Sequence, residues 1–238
     1  MTTKTNSKTA LILGPGLLCD GDVFAHQVER LADLADIQIA DTRQDDNLPD
    51  MAKRLLEMAP PTFAYAGFSM GGYLGFELLR QAPERISKLA LLSTTAQPDP
   101  VEHTQLREMF IEMTKEGRFE QAIERNLSLY LSPKFNNDDP QRNNMIAMAK
   151  RVGPEAYVRQ LTIIVNRPDS RSTLSDIQIP TCIISGRQDQ ITTIAKHEEM
   201  ANLIVNAQLH ILNDARHFIT LEQPQAVTGL LRNWIMNL

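Results

Sequence analysis

The stretch Gly67-Phe68-Ser69-Met70-Gly71, followed by Gly72, constrains the fold of this chain more than any other. It stands between an apolar run over 62–68 and a helical pattern over 70–81. A chain that leaves a strand and enters a helix within one residue must turn sharply there. A serine on such a turn is held in a strained, exposed position, and its neighbours must be small for strand and helix to close up. The bare pattern is common. The strand before it and the helix after it are what give it weight.

The rest of the chain repeats that strand-then-helix rhythm. Short apolar runs predict strands over 9–13, 37–40, 62–68, 86–92, 181–185 and 208–212. Between them, residues at helical spacing predict helices over 23–35, 48–58, 70–81, 193–203 and 225–235. Strands alternating with helices of this length read as βαβ units, hence an α/β fold with a mostly parallel sheet flanked by helices. One segment breaks the rhythm. Residues 98–172 carry helical patterns over 102–115, 119–130, 145–152 and 155–165 and no strand. They read as a helical insertion over one end of a core formed by 1–97 and 173–238. Ligands bind outside the carboxyl ends of such strands, which puts the insertion near a site.

Composition narrows the function. The 238 residues suit one catalytic domain with a sizeable core. Apolar residues at 42% and charged residues at 22% exclude wholesale disorder. Net charge is −5, without the footprint of a nucleic-acid binder. Two cysteines, Cys19 and Cys182, exclude a disulfide framework and a cysteine-rich zinc site and fit a reducing compartment. The first eight residues are polar, without a signal-peptide core, and no window approaches the roughly 20 apolar residues of a spanning helix. The expectation is a cytoplasmic protein with a small-molecule substrate, no nucleic-acid or membrane partner, no metal and no cofactor. A homodimer is left open.

Ser69 needs a base, because a serine hydroxyl is a poor nucleophile until its proton is taken. Of five histidines, His217 alone falls in a loop just past a strand, at the same sheet end as Ser69. His210 lies within a strand, His26 and His197 within helices and His103 in the insertion, where solvated or packing roles are expected. The base needs an acid to fix its tautomer. Asp189, in Gly186-Arg187-Gln188-Asp189 past the fifth strand, fits better than Asp214, three residues from His217 on its own loop. The oxyanion of an acyl-transfer intermediate needs two donors. Met70 supplies the N–H after the nucleophile, and the loop Gly14-Pro15-Gly16-Leu17-Leu18 offers Leu17, with Leu18 the alternative. Leu18, Phe68 and Phe218 are the expected substrate contacts, and Cys19 is expected to be a small buried residue. The insertion adds Met109, Phe110, Met113, Tyr130, Met145 and Met148, mostly core filler. It also carries Arg142, Lys150, Arg151, Arg159 and Arg167, mostly solvated, any one of which could meet an anionic substrate group.

With these residues in place, the chain resembles the α/β-hydrolase fold superfamily along essentially its whole length, closest to small carboxylesterase-like members with a helical cap. Residues 13–20, the 67–72 elbow, 186–189 and His217 match family motifs in order. The resemblance implies Ser69 as nucleophile, His217 as base, Asp189 as orienting acid, Leu17 and Met70 as oxyanion donors and 98–172 as cap. It implies a serine esterase, with enol-lactone, thioester, C–C and aminoacyl hydrolysis available to the same machinery. Two departures stand out. Pro15-Gly16 replaces the His-Gly pair many members carry, so a polar anchor for the oxyanion loop is missing. The chain also begins almost at the first core strand, so two leading antiparallel strands of larger members are expected to be absent. Two other readings are weaker. A dinucleotide-binding oxidoreductase would use Gly14-Pro15-Gly16 and Asp41, but Cys19 takes the third glycine position and Pro15 lacks an N–H. A non-catalytic ligand receptor on the same fold would have no need of three such groups.

Overall fold

The computed structural model describes residues 8–130 and 139–237. The N-terminal polar stretch up to residue 7 and positions 131–138 of the expected insertion lie outside the described residues.

Six strands form one sheet: β1 (Thr9–Gly14), β2 (Ala35–Ile39), β3 (Phe63–Phe68), β4 (Ile86–Leu92), β5 (Thr181–Gly186) and β6 (Ala207–Leu212). Their order is β2-β1-β3-β4-β5-β6, and every pairing is parallel. Parallel strands require crossovers, and helices supply them. The helices are α1 (Ala25–Leu31), α2 (Leu48–Met58), α3 (Met70–Gln81), α4 (Val101–Lys115), α5 (Phe119–Tyr130), α6 (Pro140–Val152), α7 (Pro154–Val165), α8 (Ile194–Leu203), α9 (Ile219–Glu222) and α10 (Pro224–Met236). Among the described residues, no helix is long and apolar enough to cross a membrane.

Alternation along each strand divides the core in two. Leu11, Leu13, Ala64, Ala66, Phe68, Ala90 and Leu92 face a cluster completed by α1, α10 and the helices between β4 and β5. Ile12, Phe63, Tyr65, Leu89, Leu91 and Ile183 face one completed by α2, α3 and α8. Burial on both faces is why these strands read as continuous apolar runs. α2 shows the helical counterpart. Leu48, Met51, Ala52 and Leu55 are buried at i, i+3, i+4 and i+7, and the Asn47 side chain caps the helix by accepting the Asp50 N–H.

Most element ends fall within two residues of the sequence expectation, and three places depart further. The helix expected over 23–35 is a short 3-10 turn (Gly21–Phe24) followed by α1, and Ala35 already belongs to β2. Its partner Thr9 claims it for the sheet, so pairing overrides helical spacing. α6 starts at Pro140 rather than 145, because the Asp139 side chain caps it. The one-turn α9 was absent from the expectation; four residues show no period.

Candidate active site

β1, β3, β5 and β6 end on the same side of the sheet, and each is followed by a loop that carries a candidate residue. The elbow after β3 is the tightest. A Cβ at Gly67 would lie 2.3 Å from the Gly71 carbonyl oxygen, and one at Gly71 would lie 2.0 Å from the Gly14 carbonyl oxygen. Strand, helix and the loop after β1 therefore touch through backbone alone. Ser69 sits between them at φ 52° and ψ −113°, a conformation non-glycine residues rarely adopt. Its N–H is held by Leu92 O at 2.9 Å, and its own carbonyl accepts from Thr94 Oγ1 at 2.8 Å.

The structure brings the three expected groups together. Ser69 Oγ lies 3.0 Å from His217 Nε2, and His217 Nδ1 lies 2.8 Å from Asp189 Oδ2. The Asp189 carboxylate also accepts the N–H groups of Ile191 (2.8 Å) and Thr192 (3.0 Å) and the Thr192 hydroxyl (2.6 Å). Burial pushes its carboxyl up, but His217 and these donors outweigh burial and hold it at about 2. An ionised Asp189 must receive the Nδ1 proton, which leaves Nε2 as acceptor for the Ser69 hydroxyl. That is the arrangement of an activated serine nucleophile. Asp214, the rival acid, is exposed on the loop.

Two devices hold the His217 loop. Glu222, on α9, accepts the N–H groups of Arg216 and Phe218 on either side of the histidine, at 3.1 and 3.2 Å. Phe68, Tyr130 and Phe218 surround the imidazole with ring centroids 5.4, 5.1 and 5.8 Å away. Of the remaining histidines, His197 is the telling one. Fully buried, it accepts the Thr94 N–H on Nε2 and donates from Nδ1 to Thr193 O. Burial depresses its pKa to about 4. It is a neutral prop behind the elbow, in line with the packing role expected of it.

The loop after β1 lies beside Ser69: a Cβ on Gly16 would come within 3.3 Å of the Ser69 Cβ. The Leu17 N–H has no acceptor among the described residues. Met70 opens α3, so its N–H has no carbonyl one turn earlier to bond. Leu18 takes a different place from the one expected. Its N–H is given to Gln160 Oε1 at 3.0 Å, so it is not a spare donor. Its side chain joins the buried core rather than lining the cleft. The partner of that bond supplies what Pro15-Gly16 lacks. Gln160, fully buried on α7, accepts from Leu18 and donates to Thr42 O and Oγ1, both at 3.2 Å. The polar anchor of this loop comes from the inserted helices.

Ser69 opens into a small cleft lined by Leu17, Phe68, Tyr73, Ile191, His217 and Phe218 from the core and by Arg107, Asn126, Tyr130 and Ile164 from the helices between β4 and β5. Phe68 and Phe218 are where they were expected. Of the apolar insertion residues singled out, Tyr130 alone reaches the cleft; Phe110, Met113, Met145 and Met148 are core. Arg142, Lys150 and Arg151 pair with Glu124, Glu120 and the Asp20/Asp22 pair, and Arg159 donates to Arg43 O. Arg107 was missed. The signal was present: it falls in the buried stripe of α4 with Phe110, Met113 and Thr114, a charge where the pattern calls for an apolar residue. Cys19 is buried, and burial raises its thiol far above the ordinary range, which leaves it no nucleophilic role.

A family model described as alpha/beta hydrolase fold matches residues 34–224. The chain is 27% identical to 3-oxoadipate enol-lactonase 2 of Acinetobacter baylyi over 177 residues, 74% of this chain. It spans 65% of that relative's length, just under two thirds. It is 25% identical over 231 residues to pimeloyl-[acyl-carrier protein] methyl ester esterase of Aliivibrio salmonicida, covering 91% of this chain and 87% of the relative. Among solved structures, the enol-lactonase from Burkholderia xenovorans superposes with a TM-score of 0.87 at 21% identity, covering 98% of this chain and 94% of the other.

Proposed function

The chain belongs to the alpha/beta hydrolase fold family, and from that premise we propose that it is a serine hydrolase cleaving a small carboxylic ester through an acyl-serine intermediate. The observation that carries the reading is the unbroken line from Ser69 Oγ to His217 Nε2, and from His217 Nδ1 to Asp189 Oδ2, at 3.0 and 2.8 Å. In it, Ser69 Oγ attacks the carbonyl carbon while His217 Nε2 takes its proton. Asp189 keeps the imidazole oriented and stabilises its charged form. The Leu17 and Met70 N–H groups receive the oxyanion. His217 then returns the proton to the departing alkoxide, and a water activated by the same nitrogen releases the acid and restores Ser69.

Ester as the bond type is supported by two relatives: the one from A. baylyi is named for a lactone and the one from A. salmonicida for a methyl ester. Both bonds are carboxylic esters. We take residues 98–172 as a cap, because its helices contribute Arg107, Asn126, Tyr130 and Ile164 to the cleft. The cleft holds about 20 Å³ of free space, room for little more than a water, so its lining must rearrange to admit a substrate. A cytoplasmic setting is supported by the free, buried Cys19 and Cys182.

The deciding experiment is hydrolysis of p-nitrophenyl acetate and butyrate by the wild type and Ser69→Ala. The expected result is a loss of at least about 10³-fold in kcat with an unchanged circular dichroism spectrum. Covalent labelling by a fluorophosphonate should disappear in the same variant. Undiminished turnover in Ser69→Ala would overturn the proposal.

A further inference from the structure

The cleft carries a buried positive charge that the hydrolytic chemistry does not use. Asp99, between β4 and α4, is the shared counter-ion of two buried arginines. It meets Arg107 Nε at 3.1 Å and Arg167 Nη1 at 2.8 Å, and it also accepts from Thr104 Oγ1. Arg167 Nη1 also donates to Ile164 O, its Nε donates to Gln97 O, and its guanidinium stacks 4.6 Å over the Tyr73 ring. Arg107 Nη1 reaches the Tyr130 hydroxyl at 3.3 Å. The Nη2 of each guanidinium has no partner among the described residues, but Arg167 is not part of the cleft lining and Arg107 is. One carboxylate against two guanidiniums leaves one positive charge, and the guanidinium that lines the cleft with Ser69 is that of Arg107.

A buried charge without a full counter-charge costs stability unless something repays it. The same cleft offers protons to an anion: the Tyr130 hydroxyl accepts from Arg107 and keeps its own hydrogen to give, and the Tyr73 hydroxyl has no acceptor among the described residues.

We propose that Arg107 binds a free carboxylate on the substrate, so that the preferred ester or lactone carries a second, unreacted carboxylate at the end away from the scissile bond. This rests on the serine hydrolase reading. One residual charge is matched by one monovalent anion, and a planar carboxylate suits the planar edge of a guanidinium. Recognition of this kind acts on the substrate end that does not react. It places the scissile carbonyl against Ser69 and rejects neutral esters by leaving the residual positive charge beside the cleft unmatched.

The test pairs monomethyl esters of short dicarboxylic acids with methyl esters of monocarboxylic acids of equal chain length. In the wild type, kcat/KM should favour the carboxylate series by about 10- to 100-fold, the worth of a hydrogen bond to a charged group. In Arg107→Gln the ratio of the two series should collapse toward one, whatever happens to either alone. A wild-type ratio near one, or a ratio untouched by Arg107→Gln, overturns the inference while leaving Ser69-dependent hydrolysis standing. A binding measurement covers an unfolded variant or an inactive enzyme. Glutarate should raise the melting temperature of wild-type and Ser69→Ala protein, and chloride at equal ionic strength should not. Equal shifts from both salts overturn the inference. Absence of any Ser69-dependent turnover would refute the hydrolase reading alone.

Discussion

Single residues carry the chemistry of this site, and several do so by what they hold rather than by what they touch. Ser69 is presented by a backbone at positive φ, and the close approaches at Gly67 and Gly71 fix that backbone from both sides. Gln160 does the same for the loop after β1 with three hydrogen bonds to Leu18 and Thr42. Gln160→Leu keeps the volume but strips those partners. It should cost about 1–3 kcal/mol of stability, the penalty for buried groups left unpaired. Because Leu18 follows Leu17, the proposed oxyanion donor, kcat on p-nitrophenyl butyrate should fall about 10- to 100-fold with KM nearly unchanged, as expected when an oxyanion donor loses its aim. Steady-state kinetics with urea unfolding of the same variant separates the two effects.

At the scale of elements, α8 acts as a prop for the loop after β4, which in turn holds the elbow. His197 is the contact, and it works only as a neutral acceptor for the Thr94 N–H. Its pKa falls from an ordinary 6.5 to about 4 because burial disfavours the charged form. The folded protein therefore binds fewer protons than the unfolded chain between those values. Stability is complete above pH 6.5, declines as pH drops to about 4, and loses nothing further from this group below that. The decline amounts to about 3 kcal/mol, and His197→Gln should flatten it in melting temperatures recorded across that range. Asp189 contributes in a separate window. Its carboxyl is held at about 2, so the stability it lends is present above the ordinary carboxylate value and is lost as pH falls toward 2. The elements themselves were legible: α2, α3, β4 and α5 have the bounds that spacing predicts. The misplaced ends belong to segments where a cap (Asp139) or a strand partner (Thr9) decides, and neither leaves a periodic signal.

Over the whole molecule, one buried anion closes the two ends of the segment between β4 and β5 on each other. Asp99 joins Arg107 on α4 to Arg167 just past α7, the two ends of the insertion, beside the strand that leads into it. Asp99→Asn would strand two buried guanidiniums. The expected loss is about 3–5 kcal/mol in urea unfolding, far beyond what an exposed pair such as Arg171 with Asp169 would show. Preference for carboxylate-bearing esters should weaken in the same variant, because Arg107 loses the partner that orients it.

The sequence by itself determined the layered α/β fold, the helical insertion, and the three groups that meet at Ser69. Each of those is written locally. A strand, a turn and a helix have their own periods, and in a parallel sheet every loop past a carboxyl strand end arrives on the same side. Only the tertiary structure decided the rest. Leu18 and Gln160 are 142 positions apart, and no spacing connects them. Which side chains of the insertion reach the cleft depends on how four helices pack, since a helix stripe says that a face is buried but not against what. That is why Arg107 was passed over while five other basic residues were weighed, and why the loop after β1 looked unanchored when its anchor lay on α7.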